Sequence, residues 1–173
     1  VKIKGASLAS VMGATLATKR SSAERLAPGV DPNRLVVEPY ANPFRTYPLV
    51  NDYKKFRKLV KERNVDCYII NTGDFMGKDI KPAIEQVVEG TGEFKQWGPF
   101  TDIEVLEMEG YVSDFNDMNY VETLKARMTD RLNFVFEKDV EDGGYNALPT
   151  QAKEALAKVI GEAHNLEVEN SNN

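Results

Sequence analysis

Cysteine and histidine are nearly absent from this 173-residue chain, which has one of each, Cys67 and His164. One cysteine excludes an internal disulfide framework, and its place in the apolar run Cys67-Tyr68-Ile69-Ile70 suits an inert core thiol. His164 has no ligand-spaced set of Cys, Asp or Glu around it, so neither a metal cage nor a Ser-His-Asp or Cys-His unit can be built on it from the sequence. No stretch approaches the roughly 18 apolar residues of a membrane span, and nothing near Val1 reads as a secretory leader. Positive charge is also in short supply: 22 Lys and Arg against 27 Asp and Glu leave a net charge of −5. That balance argues against a broad nucleic-acid or anionic-membrane surface, and the expected location is the cytoplasm.

What is present suits one globular α/β domain. Hydrophobic residues make up 42% and charged residues 28%, enough of each for a core and a solvated surface. The expected domain runs over 1–164, with a polar tail over 165–173 that frays. The opening Val1-Lys2-Ile3-Lys4, with no initiator Met, alternates as a strand does and leads to the expectation that the chain is a piece of a larger protein.

The small-residue segment Ala6 to Thr18 reads as a short buried helix or tight-packing stretch. Ala23 to Leu26 reads as a helix-like turn, 27–33 as a loop, and Leu35-Val36-Val37 as a short strand. Pro39, Pro43 and Pro48 keep the next stretch irregular. Asn51 or Asp52 is the expected N-cap of a helix to Arg63, with Tyr53, Phe56, Leu59 and Val60 on one face and most of its lysines elsewhere. Asn64 should stop it. The run Val65 to Asn71 has the length and apolarity of a strand buried on both faces. A helix over 79–89 follows, with Ile80, Ala83, Ile84, Val87 and Val88 on its apolar side and glycines at its end. Ile103 to Leu106 alternates as a strand. Two helices close the chain, one capped by Asp117 and running to about Glu137, one from Pro149-Thr150 to about His164.

The most suggestive place for chemistry is the exit from the apolar run: Asn71-Thr72-Gly73, a loop, then Gly77-Lys78 and a helix. Loops leaving the carboxyl end of a buried strand hold ligands in α/β proteins, and a helix N-terminus offers free N–H groups to an anion. This is not a Walker A loop, because only three residues separate Gly73 from Gly77 and Asp79 stands where Ser or Thr is required. A plain strand-to-helix turn explains the same glycines. Arg20, flanked by serines, could face a phosphate or carboxylate, or simply solvent. Glu104, Glu107 and Glu109 read as one solvated edge, and Glu137 to Gly144 as a charged connector without the EF-hand pattern.

Taken together, KKFRKLVKERNVDCYIINTG (Lys54 to Gly73) and GKDIKPAIEQVVEG (Gly77 to Gly90) resemble the C-terminal region of ATP-dependent phosphoenolpyruvate carboxykinases. The first is similar to that family's helix and buried strand ending in Asn-Thr-Gly. The second is similar to its Gly-Lys loop and following helix. LATKRSS and YANPFRTYPLVNDY are similar to its Gly-Thr-Glu-Arg-Gly and Phe-Gly-Ala-rich passages, so the likeness spans Gly5 to Gly92.

The resemblance implies a mixed α/β fold, a sheet like the carboxykinase C-terminal lobe flanked by helices, with two C-terminal helices. It implies that Arg20 faces the transferred phosphoryl group and that Thr72, Gly73, Gly77 and Lys78 contact nucleotide. ATP or another nucleotide, with a divalent metal, would be bound by the full-length protein and not by this piece alone. The family's P-loop and metal ligands lie upstream, so the N-terminal portion would be the partner, with a small anionic ligand. The family's adenine-packing arginine falls in a run deleted here, and Ile80 stands in the place of its nucleotide-contacting Thr. Two other readings stay open: a carboxykinase-like scaffold that binds or regulates without catalysis, and an unrelated α/β domain.

Overall fold

The computed structural model describes residues 1–19, 28–29, 35–70, 80–108 and 113–171. Its centre is α1 (Ala6–Ala14), a helix buried nearly all round through Leu8, Ala9, Ser10, Val11, Met12 and Ala14. Small side chains let its neighbours approach closely. Ser10 and Thr15 are buried hydroxyls and stay satisfied by donating to the carbonyls of Ala6 and Val11, each at 2.7 Å. Of the two readings of Ala6 to Thr18, the buried helix holds as far as Ala14, and the segment's end belongs to a strand, Ala17–Lys19.

On one side of α1 lies a four-stranded sheet in the order β4-β1-β6-β5, made of β1 (Lys2–Ile3), β4 (Cys67–Tyr68), β5 (Phe94–Trp97) and β6 (Phe100–Leu106). Every pairing in it is antiparallel. Ile3 sits opposite both Cys67 and Ile103, which puts an apolar row on the core face. One residue along, Lys2 sits opposite Tyr68 and Glu104, and that row faces outward with Lys2 paired to Asp66 at 3.0 Å. One face buried and one wet is the usual condition of an antiparallel sheet.

This arrangement corrects the reading of Val65 to Asn71. The strand there is two residues long, at the sheet edge, and Val65 and Ile70 are each 48% exposed. An apolar run of this length reports hydrophobicity without saying how many neighbours the strand has. Strand β5 was missed because Phe94-Lys95-Gln96-Trp97 carries too few branched apolar residues to signal itself; it is defined by its hairpin with β6. A separate ribbon pairs β2 (Ala17–Lys19) with β3 (Leu35–Val37).

Helix α2 (Leu49–Arg63) packs on α1 through Leu49 and Tyr53. It begins two residues before the expected caps, because the Asn146 side chain accepts the Leu49 N–H at 3.1 Å and does the capping from across the fold. Asn64 ends it in the left-handed region, φ 50°, as the sequence suggests. Helix α3 (Ile80–Glu89) has its expected span over the described residues. Its apolar side is only half-buried and Val88 is 80% exposed.

Two long helices, α4 (Met118–Val140) and α5 (Thr150–Ser171), pack against each other and close the fold. Asp117 caps α4 as expected, accepting from the N–H groups of Asn119 and Tyr120. Helix α5 does not stop near His164 but continues to Ser171. Its end is anchored where Glu167 pairs with Lys125 and Asn170 donates to the Phe115 carbonyl at 2.8 Å. Polarity near a terminus predicts fraying only where nothing receives the polar groups. Further along, Lys158 binds Asp102 and Glu162 accepts from Thr101, each at 2.6 Å, which ties α5 to β6.

Candidate functional site

The five residues that the resemblance places in a site, Arg20, Thr72, Gly73, Gly77 and Lys78, all lie outside the described residues. Arg20 follows directly on β2, whose last pair is Lys19 with Leu35. Thr72, Gly73, Gly77 and Lys78 belong to 71–79, between the residues after β4 and the first residue of α3. The helix-like turn at Ala23 to Leu26, most of the 27–33 loop and Glu109 are likewise outside. The strand before 71–79 is an edge strand, and a helix begins at Ile80 after it.

Of the remaining candidates, Cys67 is half-buried, and burial pushes its thiol pKa up, so it stays a thiol rather than a nucleophilic thiolate. His164 meets Glu167 one helical turn on, at 3.4 Å, so an acidic neighbour does stand at i,i+3. No three His, Cys, Asp or Glu side chains converge to hold a metal among the described residues. No helix among them is long and apolar enough to cross a membrane. Glu107 is exposed, as a solvated edge requires, and meets Lys95 at 2.6 Å, whereas Glu104 is half-buried and meets Lys4 at 3.0 Å.

Two charged features stand out instead, one where the chain enters α2 and one along it. At its head, Tyr40 and Ala41 take the left-handed conformation (φ 55° and 53°), which non-glycine residues rarely adopt. The Tyr40 hydroxyl donates to the Ser10 carbonyl at 2.8 Å, and its ring covers Gly13 of α1. Burial, with Asp52 nearby, raises the Tyr40 pKa strongly and keeps it a donor. Tyr47 donates to one Asp52 oxygen at 2.9 Å, whereas the other Asp52 oxygen and Arg45 Nη1 are buried with no hydrogen-bond partner among the described residues. The cluster locks the proline-rich passage onto α1.

The second feature is a groove of about 340 Å³ between α2 and the start of α5, with Tyr53, Lys54, Arg57, Lys58, Lys61 and the acidic Glu62 on one side and Pro149 and Gln151 on the other. The four cations share one helix face because they recur at spacings of three and four. Asn146 holds the second wall in place through Leu49, so the groove follows from the same contact that starts α2. The sequence shows the basic stripe; it cannot show that Pro149 and Gln151 lie opposite it.

Comparison of the chain with protein-family models, with curated proteins and with solved structures finds no match.

Proposed function

We propose that this chain is the C-terminal part of a divergent phosphoenolpyruvate-carboxykinase-like, nucleotide-binding phosphotransferase, inactive as an isolated piece. The observation that carries the reading is the succession of α2, β4, Asn71-Thr72-Gly73, Gly77-Lys78 and α3, in the order of the carboxykinase segment it resembles, with a shortened loop before α3. On this reading the sheet and its helices correspond to the carboxykinase C-terminal lobe, and the protein works in the cytoplasm. The N-terminal portion supplies the P-loop and metal ligands. Lys78 and the Thr72-Gly73 and Gly77 backbone hold nucleotide phosphates, and Arg20 neutralises charge on the transferred phosphoryl group. Such groups act through position and charge, since phosphoryl transfer leaves the protein little covalent chemistry to do.

The test uses the protein with its N-terminal portion, measuring binding of ATP with Mg²⁺ and phosphoryl transfer. Arg20→Ala should lower turnover by about a thousandfold, the low end for an arginine that stabilises this transition state. Lys78→Ala should weaken nucleotide binding. Unchanged turnover in Arg20→Ala would remove the assignment.

A second reading, a carboxykinase-like module that binds or regulates without catalysis, is favoured by the shortened loop and by Ile80 in the place of a nucleotide-contacting Thr. It is distinguished by nucleotide binding without turnover.

A further inference from the structure

Helix α2 concentrates positive charge that the rest of the chain lacks. It carries Lys54, Lys55, Arg57, Lys58, Lys61 and Arg63 against only Asp52 and Glu62, in a chain of net charge −5. Lys54 with Lys58, and Arg57 with Lys61, are like charges at i,i+4, and each such pair destabilises a helix by roughly 0.2–0.5 kcal/mol. The local stability of α2 therefore gives no reason for the stripe. Compensation from within is slight. Lys58 reaches Glu62 at 3.8 Å with both side chains largely exposed, a geometry that contributes little. Lys54 and Lys61 have no acidic partner among the described residues.

Three further observations make this face a site rather than a scatter of charges. Arg57 is half-buried and oriented from behind, its Nε donating to Ser7 Oγ of α1 at 3.0 Å. The stripe forms one wall of a groove. The opposite wall is Pro149 and Gln151 at the start of the 22-residue helix α5, the end that carries the positive pole of the helix dipole.

We infer that this groove binds a small organic ligand carrying two or more phosphate groups. A planar guanidinium, flanking ammonium groups and a helix N-terminus together suit tetrahedral anions with several acceptor oxygens. The volume of about 340 Å³ lies at the lower end for small-molecule sites, roughly 300–1,000 Å³. The acidic remainder of the chain would repel an extended polyanion. The site uses neither Arg20 nor residues 71–79, so it stands or falls apart from the phosphotransferase reading.

The experiment is a calorimetric titration of the whole chain at low salt with inorganic tripolyphosphate, and a flotation assay with phosphatidylcholine vesicles containing phosphatidylinositol bisphosphate. The two arms separate a soluble source of the phosphates from a lipid headgroup. The double variant Lys54→Glu, Lys58→Glu gains opposite-charge neighbours at i,i+3 in Arg57 and Lys61, which offset the new Glu–Glu pairs at i,i+4, and an unchanged circular dichroism spectrum checks that its fold is retained. It should lose binding in at least one arm by roughly tenfold or more, as removal of one to two charge-assisted contacts implies. The charge-matched control Lys81→Glu, Arg127→Glu, on α3 and α4, should bind as the parent does. Arg57→Lys, which keeps the charge but loses the planar fork held by Ser7, should also weaken binding. Binding in neither arm, equal loss in the control, or equally tight groove-dependent binding of poly-glutamate would overturn the inference.

Discussion

Gly13 shows how one missing methyl group can hold two elements together. A Cβ there would lie 2.6 Å from Tyr40 Cε1, and that ring cannot swing aside, because its hydroxyl is bonded to Ser10 and its backbone sits in the left-handed region. Gly13→Ala gains about 1 kcal/mol of helix propensity, but the overpacking should cost more. The expected result is a net loss of about 1–3 kcal/mol in urea unfolding with an unchanged slope. Arg131 is a second residue whose role depends on distant neighbours. Its guanidinium donates to the Thr15 carbonyl and, at 3.0 Å, to the Thr15 hydroxyl, so a cation closes the C-terminal end of α1. Burial lowers the Arg131 pKa, yet a guanidinium stays charged. Nothing in the local sequence of α4 singles this arginine out from its exposed neighbour Arg127.

Helix α4 illustrates what a local signal does convey. Asp117 accepts from two N–H groups in the first turn, and Asp117→Ala should cost about 1 kcal/mol, read as a lower urea midpoint. The contact between α4 and α5 carries a pH dependence. Hydrogen bonding to Lys125 chiefly, with His164 adding, holds the Glu167 carboxyl below its usual range. A carboxylate depressed in the folded state stabilises the fold above its unfolded pKa, and the contribution is lost as pH falls through the folded value. Stability of the parent should therefore fall more steeply than that of Glu167→Gln as pH drops below the ordinary carboxylate range, with the two converging in acid. Thermal melts across that range would check it, and parallel curves would contradict it.

One connected core runs through the molecule, with Ile3 and Ile103 from the sheet, Val11 from α1, Leu49 and Tyr53 from α2, Val135 from α4 and Leu156 and Val159 from α5. The contributors span most of the described chain, so unfolding should be cooperative. The single tryptophan, Trp97, packs on Phe100 at 5.2 Å between ring centres and donates to Ser113 at 2.7 Å, which makes its fluorescence a reporter of the sheet side. Its transition in urea should coincide with the helical signal in circular dichroism; separate midpoints would mean that sheet and helices unfold as distinct units. At this scale the positive stripe on α2 is anomalous, because an acidic protein has gathered like charges around one groove.

Local chemistry alone determined the start of α1, the stop at Asn64, the Asp117 cap, the two closing helices and the alignment of Lys54, Arg57, Lys58 and Lys61 on one face. Each depends on residues within a turn or two of one another, where spacing translates directly into geometry. Only the tertiary structure decided that the run after Asn64 is a wet sheet edge, that α5 continues to Ser171, that Asn146 starts α2, and that Pro149 and Gln151 wall the basic groove. In those cases the deciding partner is remote in sequence, and hydrophobicity and charge along the chain do not say which remote group will arrive.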